Sequence, residues 1–189
     1  MATQEPEFSV SLRDGVFEVR EYPALVAAQV VVTGTRDEAS NAGFRLLAGY
    51  IFGSNKRKQS IAMTAPVVQE PLASEKISMT APVLQSAVAG QPGAWTVRFI
   101  MPKQYTLDSL PVPNDPTVQL LAVPPARLAV VSFSGLARPD DVALRTVALK
   151  AFIARGNLQA IGPPALARYN PPWTPWFMRR NEVLIAVSP

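Results

Sequence analysis

Apolar and polar residues alternate with period two over Phe8, Val10 and Leu12, and again over Phe17 and Val19. Asp14-Gly15 stands between the two runs, and glycine supplies the positive φ that a tight turn requires. The pattern predicts a hairpin ending near Tyr22. Leu25 to Val32 is a further strand, rich in β-branched residues. The period then changes. Ala39, Ala42, Gly43, Leu46, Leu47, Tyr50 and Ile51 recur at helical spacing. Thr35 precedes them with Glu38 three residues on, the signature of a capping box, and Gly53 is a stop. Gly43 and Gly49 each weaken such a helix by about 1 kcal/mol relative to Ala. Their presence predicts a close approach to the helix backbone, by the sheet or by a ligand.

Beyond the helix, IAMTAPV at 61–67 returns as ISMTAPV at 77–83. The spacing is too short for a solenoid repeat and predicts two strands joined by a turn. Pro66 and Pro82 cannot donate to a ladder, so each marks an edge or a bulge. Trp95 to Met101 is another strand, stopped by Pro102, and 103–116 is a Pro-rich crossover. Val118–Val123 and Arg127–Phe133 are strands around Pro124-Pro125. A second helix is predicted from Asp140 to Arg155, with Leu144, Val147, Ala148, Ala151 and Phe152 as its apolar face. Residues 157–180 are largely loop, with a short strand at Leu166–Tyr169. Val183–Val187 is the last strand. The order is strands, helix, strands, twice over. It predicts one α+β domain over 1–189, built from duplicated half-units at about 16–90 and 94–188, with an antiparallel sheet curled towards a barrel and two helices outside. Two such halves commonly leave a cleft where they meet.

Composition narrows the chemistry. The chain of 189 residues is 48% apolar and only 17% charged, with 19 prolines, no Cys and no His. A buried core is expected, and wholesale disorder is not. Without Cys there is no disulfide, thiolate nucleophile or iron–sulfur cluster. Without His there is no Ser-His-Asp triad, no HExxH zinc site and no imidazole for haem iron. The net charge of +4 is too diffuse to predict nucleic-acid binding. Its clusters are Lys56, Arg57 and Lys58, and Arg179 with Arg180. The longest apolar run, Ala24–Val32, is too short to span a membrane. The chain therefore reads as soluble, and a cytoplasmic monomer is the expectation.

Several segments together resemble the SOUL haem-binding protein family. They are the paired MTAPV segments, the strand ending in Met101-Pro102, PVPNDPTV in the crossover, FSG at 133–135 and YNPPWTPWFMRRNEV at 169–183. The resemblance runs from about residue 16 to 188, with the motifs in the family's order. It implies a distorted, mostly antiparallel β-barrel flanked by two helices. It also implies non-covalent binding of haem or another tetrapyrrole in an apolar groove, between the first helix and the Pro-Pro loop before the last strand. Carried over by position, the helix side is Asn41, Phe44, Arg45 and Ala48, and the loop side is Trp173, Thr174 and Met178. Asn41 and Thr174 stand where family members with a mapped site carry an Arg and a Lys for the propionates. Arg45, Lys56, Arg179 or Arg180 are the substitutes at hand. The iron ligands left are Met63, Met79, Met101, Met178 or Tyr50. The implied role is a carrier or buffer.

A second resemblance is of the fold alone, to the effector-binding domains of bacterial multidrug regulators, which bind apolar cations around a buried glutamate. Glu182 stands about where that glutamate lies. A desolvated Glu182 of raised pKa, with Tyr105 or Tyr169, is an acid–base pair open to this chain for weak hydrolysis. The bland alternative is a strand residue ion-paired with Arg179 or Arg180. Pro171–Phe177, with two Trp, one Phe and three Pro, reads as a buried lid over the barrel. Exposed, it would be an aromatic anchor surface for a protein partner.

Overall fold

The computed structural model describes residues 4–57, 74–170 and 173–188. The first MTAPV segment with Met63 and Pro66, together with Lys58, Pro171 and Pro172, lies outside the described residues. Twelve strands and two α-helices follow one another as β1 (Ser9–Asp14), β2 (Phe17–Tyr22), β3 (Leu25–Thr33), α1 (Arg36–Ile51), β4 (Asn55–Lys56), β5 (Val83–Ala87), β6 (Ala94–Ile100), β7 (Val112–Pro113), β8 (Gln119–Val123), β9 (Ala126–Ser134), α2 (Pro139–Arg155), β10 (Gln159–Ala160), β11 (Ala165–Arg168) and β12 (Arg180–Ser188). A 3₁₀ turn, Trp176–Met178, precedes β12.

The hairpin forms as the alternation predicts, with Asp14 paired to Phe17 and Gly15 at φ +59° in the turn. Ten strands make one sheet in the order β1-β2-β9-β12-β11-β5-β6-β3-β8, with β10 paired to β12. Every pairing within it is antiparallel. From β2 to β8 the order reads the same from both ends. β2-β3-α1-β5-β6 corresponds to β8-β9-α2-β11-β12, and each set lends its first strand to the other. The described strands form an open path from β1 to β8, so the expected closed barrel is not among their pairings.

The helices cover one face. α1 packs on β3 and β6, and Leu47, Tyr50 and Ile51 join Ala28, Val30, Val97 and Phe99 in one core. α2 packs on β9 and β12 through Val142, Leu149, Phe152 and Ile153. Each of these larger side chains contributes roughly 1.5–3 kcal/mol through burial. The opposite face is also buried: Val130, Ala167 and Leu184 form a small cluster there with Leu84, Leu128 and Tyr169. Strand alternation turns these residues away from the helices, so the sheet curls over that face.

Four expectations change. The face assigned to α2 is buried only at Phe152, because Leu144 and Val147 are each 66% exposed. Two apolar stripes share that helix, and periodicity alone does not rank them. The second MTAPV segment is extended but unpaired apart from one bridge, Gln4 to Thr80, and its strand begins only at Val83. Pro82, which lacks a donor, immediately precedes it. β8 and β9 flank Pro124-Pro125 but pair with β3 and β2 rather than with each other. Finally, only one of the two α1 glycines is crowded. A Cβ at Gly43 would lie 2.6 Å from the Val97 side chain, whereas one at Gly49 would meet Ser54 Oγ only at 3.7 Å.

Candidate functional site

α1 begins where its capping box closes. The Glu38 amide donates to Thr35 Oγ1, and the Thr35 amide donates back to the Glu38 carboxylate at 2.9 Å. That fixes the rotation of the helix. Asn41, Phe44, Arg45 and Ala48 then fall on one stripe, at spacings of three and four. Asn41 and Arg45 are exposed, Phe44 is half-buried and Ala48 closes the stripe against the core. The Phe44 ring meets Phe99 edge-on at 5.4 Å between centroids, which fixes it while leaving part of it open. Arg45 makes no ion pair with the described residues.

The loop side is open. Trp173 is 82% exposed and Met178 63%, and Trp176 and Phe177, stacked edge to face at 5.8 Å, are exposed too. This corrects the expectation of a buried lid. Two hydrogen bonds hold the segment from below: Arg179 Nε donates to the Thr174 carbonyl at 2.9 Å, and the Gly135 amide donates to the Arg179 carbonyl at 3.2 Å. Among the described residues no hydrogen bond or ion pair is seen between Trp173, Thr174 or Met178 and the α1 stripe. The link between them is Arg168, at the end of β11 and five residues before Trp173. Its guanidinium donates to Ser40 Oγ at 2.6 Å and to Asp37 at 3.1 Å, both on α1.

The other proposed anchors and ligands are placed less favourably. Lys56 is exposed on β4, the short strand that follows α1, and Arg180 is engaged by Glu5 and Glu182. Tyr50 is buried and donates to the Pro111 carbonyl at 2.9 Å, and burial pushes its phenol well above the ordinary value. It is a core residue, not an open iron ligand. Met101 is buried and Met79 packs against the same core. Among these described ligand candidates Met178 alone is exposed.

Glu182 is the most enclosed charge, at 0% exposure. Arg20 grips it with two bonds of 2.8 and 3.0 Å, Arg180 Nη2 donates at 3.0 Å, Tyr169 Oη at 2.6 Å and Ser132 Oγ at 3.1 Å. Burial alone would raise its pKa. The bonds from Arg20 and Tyr169 and the two guanidinium charges outweigh that and hold it below the ordinary value. The expected acid–base residue of raised pKa is thus overturned. Tyr169 is at hand as expected, but burial beside this carboxylate pushes its phenol far up. Tyr105 lies elsewhere and donates to Glu75. The pairing with Arg180 was legible. Arg20, 162 positions away in sequence, was missed; the only local sign is Glu18, Arg20 and Tyr22 alternating on one face of a strand.

Comparison with known proteins bears on all of this. The family model described as SOUL heme-binding protein matches residues 3–186. Heme-binding protein 1 of Xenopus laevis is 31% identical over 173 residues, covering 90% of this chain and 84% of that protein. Among solved structures, the EcmrR C-terminal domain superposes with a TM-score of 0.65 at 8% identity, covering 91% of this chain and 96% of its own. A hydrolase from Listeria innocua superposes with 0.55 at 14% identity, covering 100% and 94%. At such identities the structural matches speak for the fold alone.

Proposed function

We propose that this chain, which belongs to the SOUL heme-binding protein family, binds haem or a related tetrapyrrole non-covalently and acts as a carrier or buffer rather than a catalyst. The observation that carries the reading is the α1 stripe: a half-buried ring at Phe44, a small residue at Ala48 and an unpaired guanidinium at Arg45, in a chain of this family. A flat macrocycle needs an apolar bed with a cation at its rim. Phe44 and Ala48 supply the bed. Arg45 supplies one charge-assisted partner for a propionate, and Asn41 a neutral one. On the opposite side Trp173 and Met178, with the Thr174 hydroxyl, close over the ring. Their exposure without ligand leaves large apolar surface to be buried on closure, which favours binding.

The chain's residues fit the group in part. Stacking and propionate contacts are provided, and among the described candidates iron ligation falls to Met178. Bound haem would supply its own redox and ligand chemistry. The protein residues bind, orient and shield it. A site that holds iron weakly suits transfer better than electron transport. In this reading the curled sheet is the family's distorted barrel and the whole chain is one duplicated domain.

No observation favours a hydrolase built on Glu182, because its carboxylate is held as the anion by two guanidiniums. The test is a set of haemin titrations followed by the Soret band and Trp quenching. Phe44→Asp, Trp173→Ser and Arg45→Gln should each weaken binding, the first most. Because Phe44 also packs on Phe99, in the core cluster that reaches Met101, Arg45→Gln is the control that leaves the core intact. Unchanged affinity in all three variants would place the site elsewhere.

A further inference from the structure

At the far end of β3 and β6 a cavity of about 160 Å³ lies under residues 4–7 of the N-terminal segment. Leu25, Ile100, Met101 and Pro102 make its apolar wall, and Glu5, Glu7 and Lys103 stand at its rim. The segment lies across the cavity as a strap. The Ala81 amide donates to the Gln4 carbonyl at 2.9 Å. Glu5 accepts two bonds from Arg180 Nη1, at 3.1 and 3.2 Å, and Glu7 accepts one from Lys103 Nζ at 2.9 Å. Phe8 lies over the Arg20 guanidinium at 4.4 Å and against Tyr22 at 5.3 Å.

The charges behind the strap form one alternating chain. Arg13 pairs with Glu18, Glu18 with Arg20, Arg20 with Glu182, Glu182 with Arg180, and Arg180 with Glu5. Three guanidiniums face three carboxylates, and Glu5 is the terminal one. If the strap lifts, this network keeps one guanidinium in excess at Arg180, and Lys103 loses its partner as well. The Arg180 side chain is 41% exposed and that of Lys103 72%, so water takes up part of the loss, and a ligand that brings an anion regains the pairing that the strap gave up. The wall beneath calls for an apolar body, and a dry cavity of about 150 Å³ accommodates a benzene-sized ring.

We propose that this cavity is a second ligand site, for an aromatic carboxylate of one or two rings, and that the strap is its internal competitor. The ring lies against Leu25, Ile100 and Met101, and the carboxylate takes the place of Glu5 on Arg180 or of Glu7 on Lys103. Glu5 and Glu7 thus set the affinity of the site without touching the ligand. The site is independent of the α1 stripe.

The test uses 1-naphthylacetate and its uncharged amide, 1-naphthylacetamide, titrated into the full chain and followed by backbone amide NMR shifts at Leu25, Met101 and Lys103. The acetate should give saturable shifts there. The double variant Glu5→Gln with Glu7→Gln should bind the acetate about tenfold or more tighter, equivalent to about 1.4 kcal/mol, with the amide unchanged. Lys103→Gln, at an exposed position that folding does not depend on, should weaken the acetate alone. Arg45→Gln, which leaves the core intact, should leave both probes as they were. Equal binding of acetate and amide in every variant, or no shifts at the cavity in the double variant, overturns the proposal.

Discussion

Glu182 is ionised in the folded chain because six donor atoms from four residues point at it, and this gives the residue-scale account its sharpest consequence. Glu182→Gln leaves the buried Arg20, and the half-exposed Arg180 beside it, without their shared counterion. Loss of one partner of a buried pair costs about 3–5 kcal/mol, so chemical denaturation at pH 7 should show a fall of that size. The pH dependence has a definite sign. The folded pKa lies below the ordinary value of 4.5, so the unfolded state binds the proton more readily. The stabilisation is complete above that value and is lost as pH falls through the lower folded pKa. The gap between wild type and Glu182→Gln should therefore shrink on acidification below 4.5. A gap that stays constant would show that Glu182 does not titrate as described. Sequence named Glu182 and Arg180 as partners because they lie two apart on one strand. It could not name Arg20, whose side chain arrives from β2 through a pairing between strands distant in the chain.

At the scale of elements, the two glycines of α1 separate what sequence could and could not resolve. Both predicted a close approach, yet only Gly43 meets one. Gly43→Ala drives a Cβ into Val97 and should destabilise by about 1–3 kcal/mol. Gly49→Ala has room and should stabilise by up to about 1 kcal/mol, since a helical glycine costs that much. Thermal unfolding of the two variants reads both signs, and equal shifts would contradict the contact. The cap, by contrast, was fully legible, because Thr35 and Glu38 are local and their bonds need nothing beyond the first turn. On α2 the sequence pointed to the wrong face. Leu144→Glu should change stability by less than about 0.5 kcal/mol, whereas Leu149→Ala should cost about 2–5 kcal/mol. The Trp loop was also misread. Composition shows that the segment is aromatic, but whether it packs depends on what lies beneath it. With Trp173 and Trp176 both open, acrylamide should quench most of the Trp emission, and haemin should protect it.

At the scale of the whole molecule the duplication governs what could be foreseen. Strand, helix and strand repeat along the chain, and that rhythm predicts an α+β domain with one sheet and two helices outside. The exchange of β2 and β8 between the two sets is invisible in sequence, since nothing local says that β2 skips its neighbour β3 to join β9. The same exchange explains why the candidate site was only partly legible. The α1 stripe is a local feature, and Asn41, Phe44, Arg45 and Ala48 share one side of the helix as their spacing predicts. The Trp loop hangs between β11 and β12, and the bonds that tie β11 to α1, from Arg168 to Ser40 and Asp37, are announced by no single segment.

The central claim is that a chain without histidine holds a tetrapyrrole by stacking and a rim cation. A haemin titration of the unaltered protein tests it most directly, with the Soret band and Trp emission followed in the same cuvette. The account predicts a saturable one-to-one transition, a shifted Soret band and parallel quenching of the loop tryptophans. Linear changes that never saturate, with the tryptophans quenched no more than free tryptophan, would contradict it.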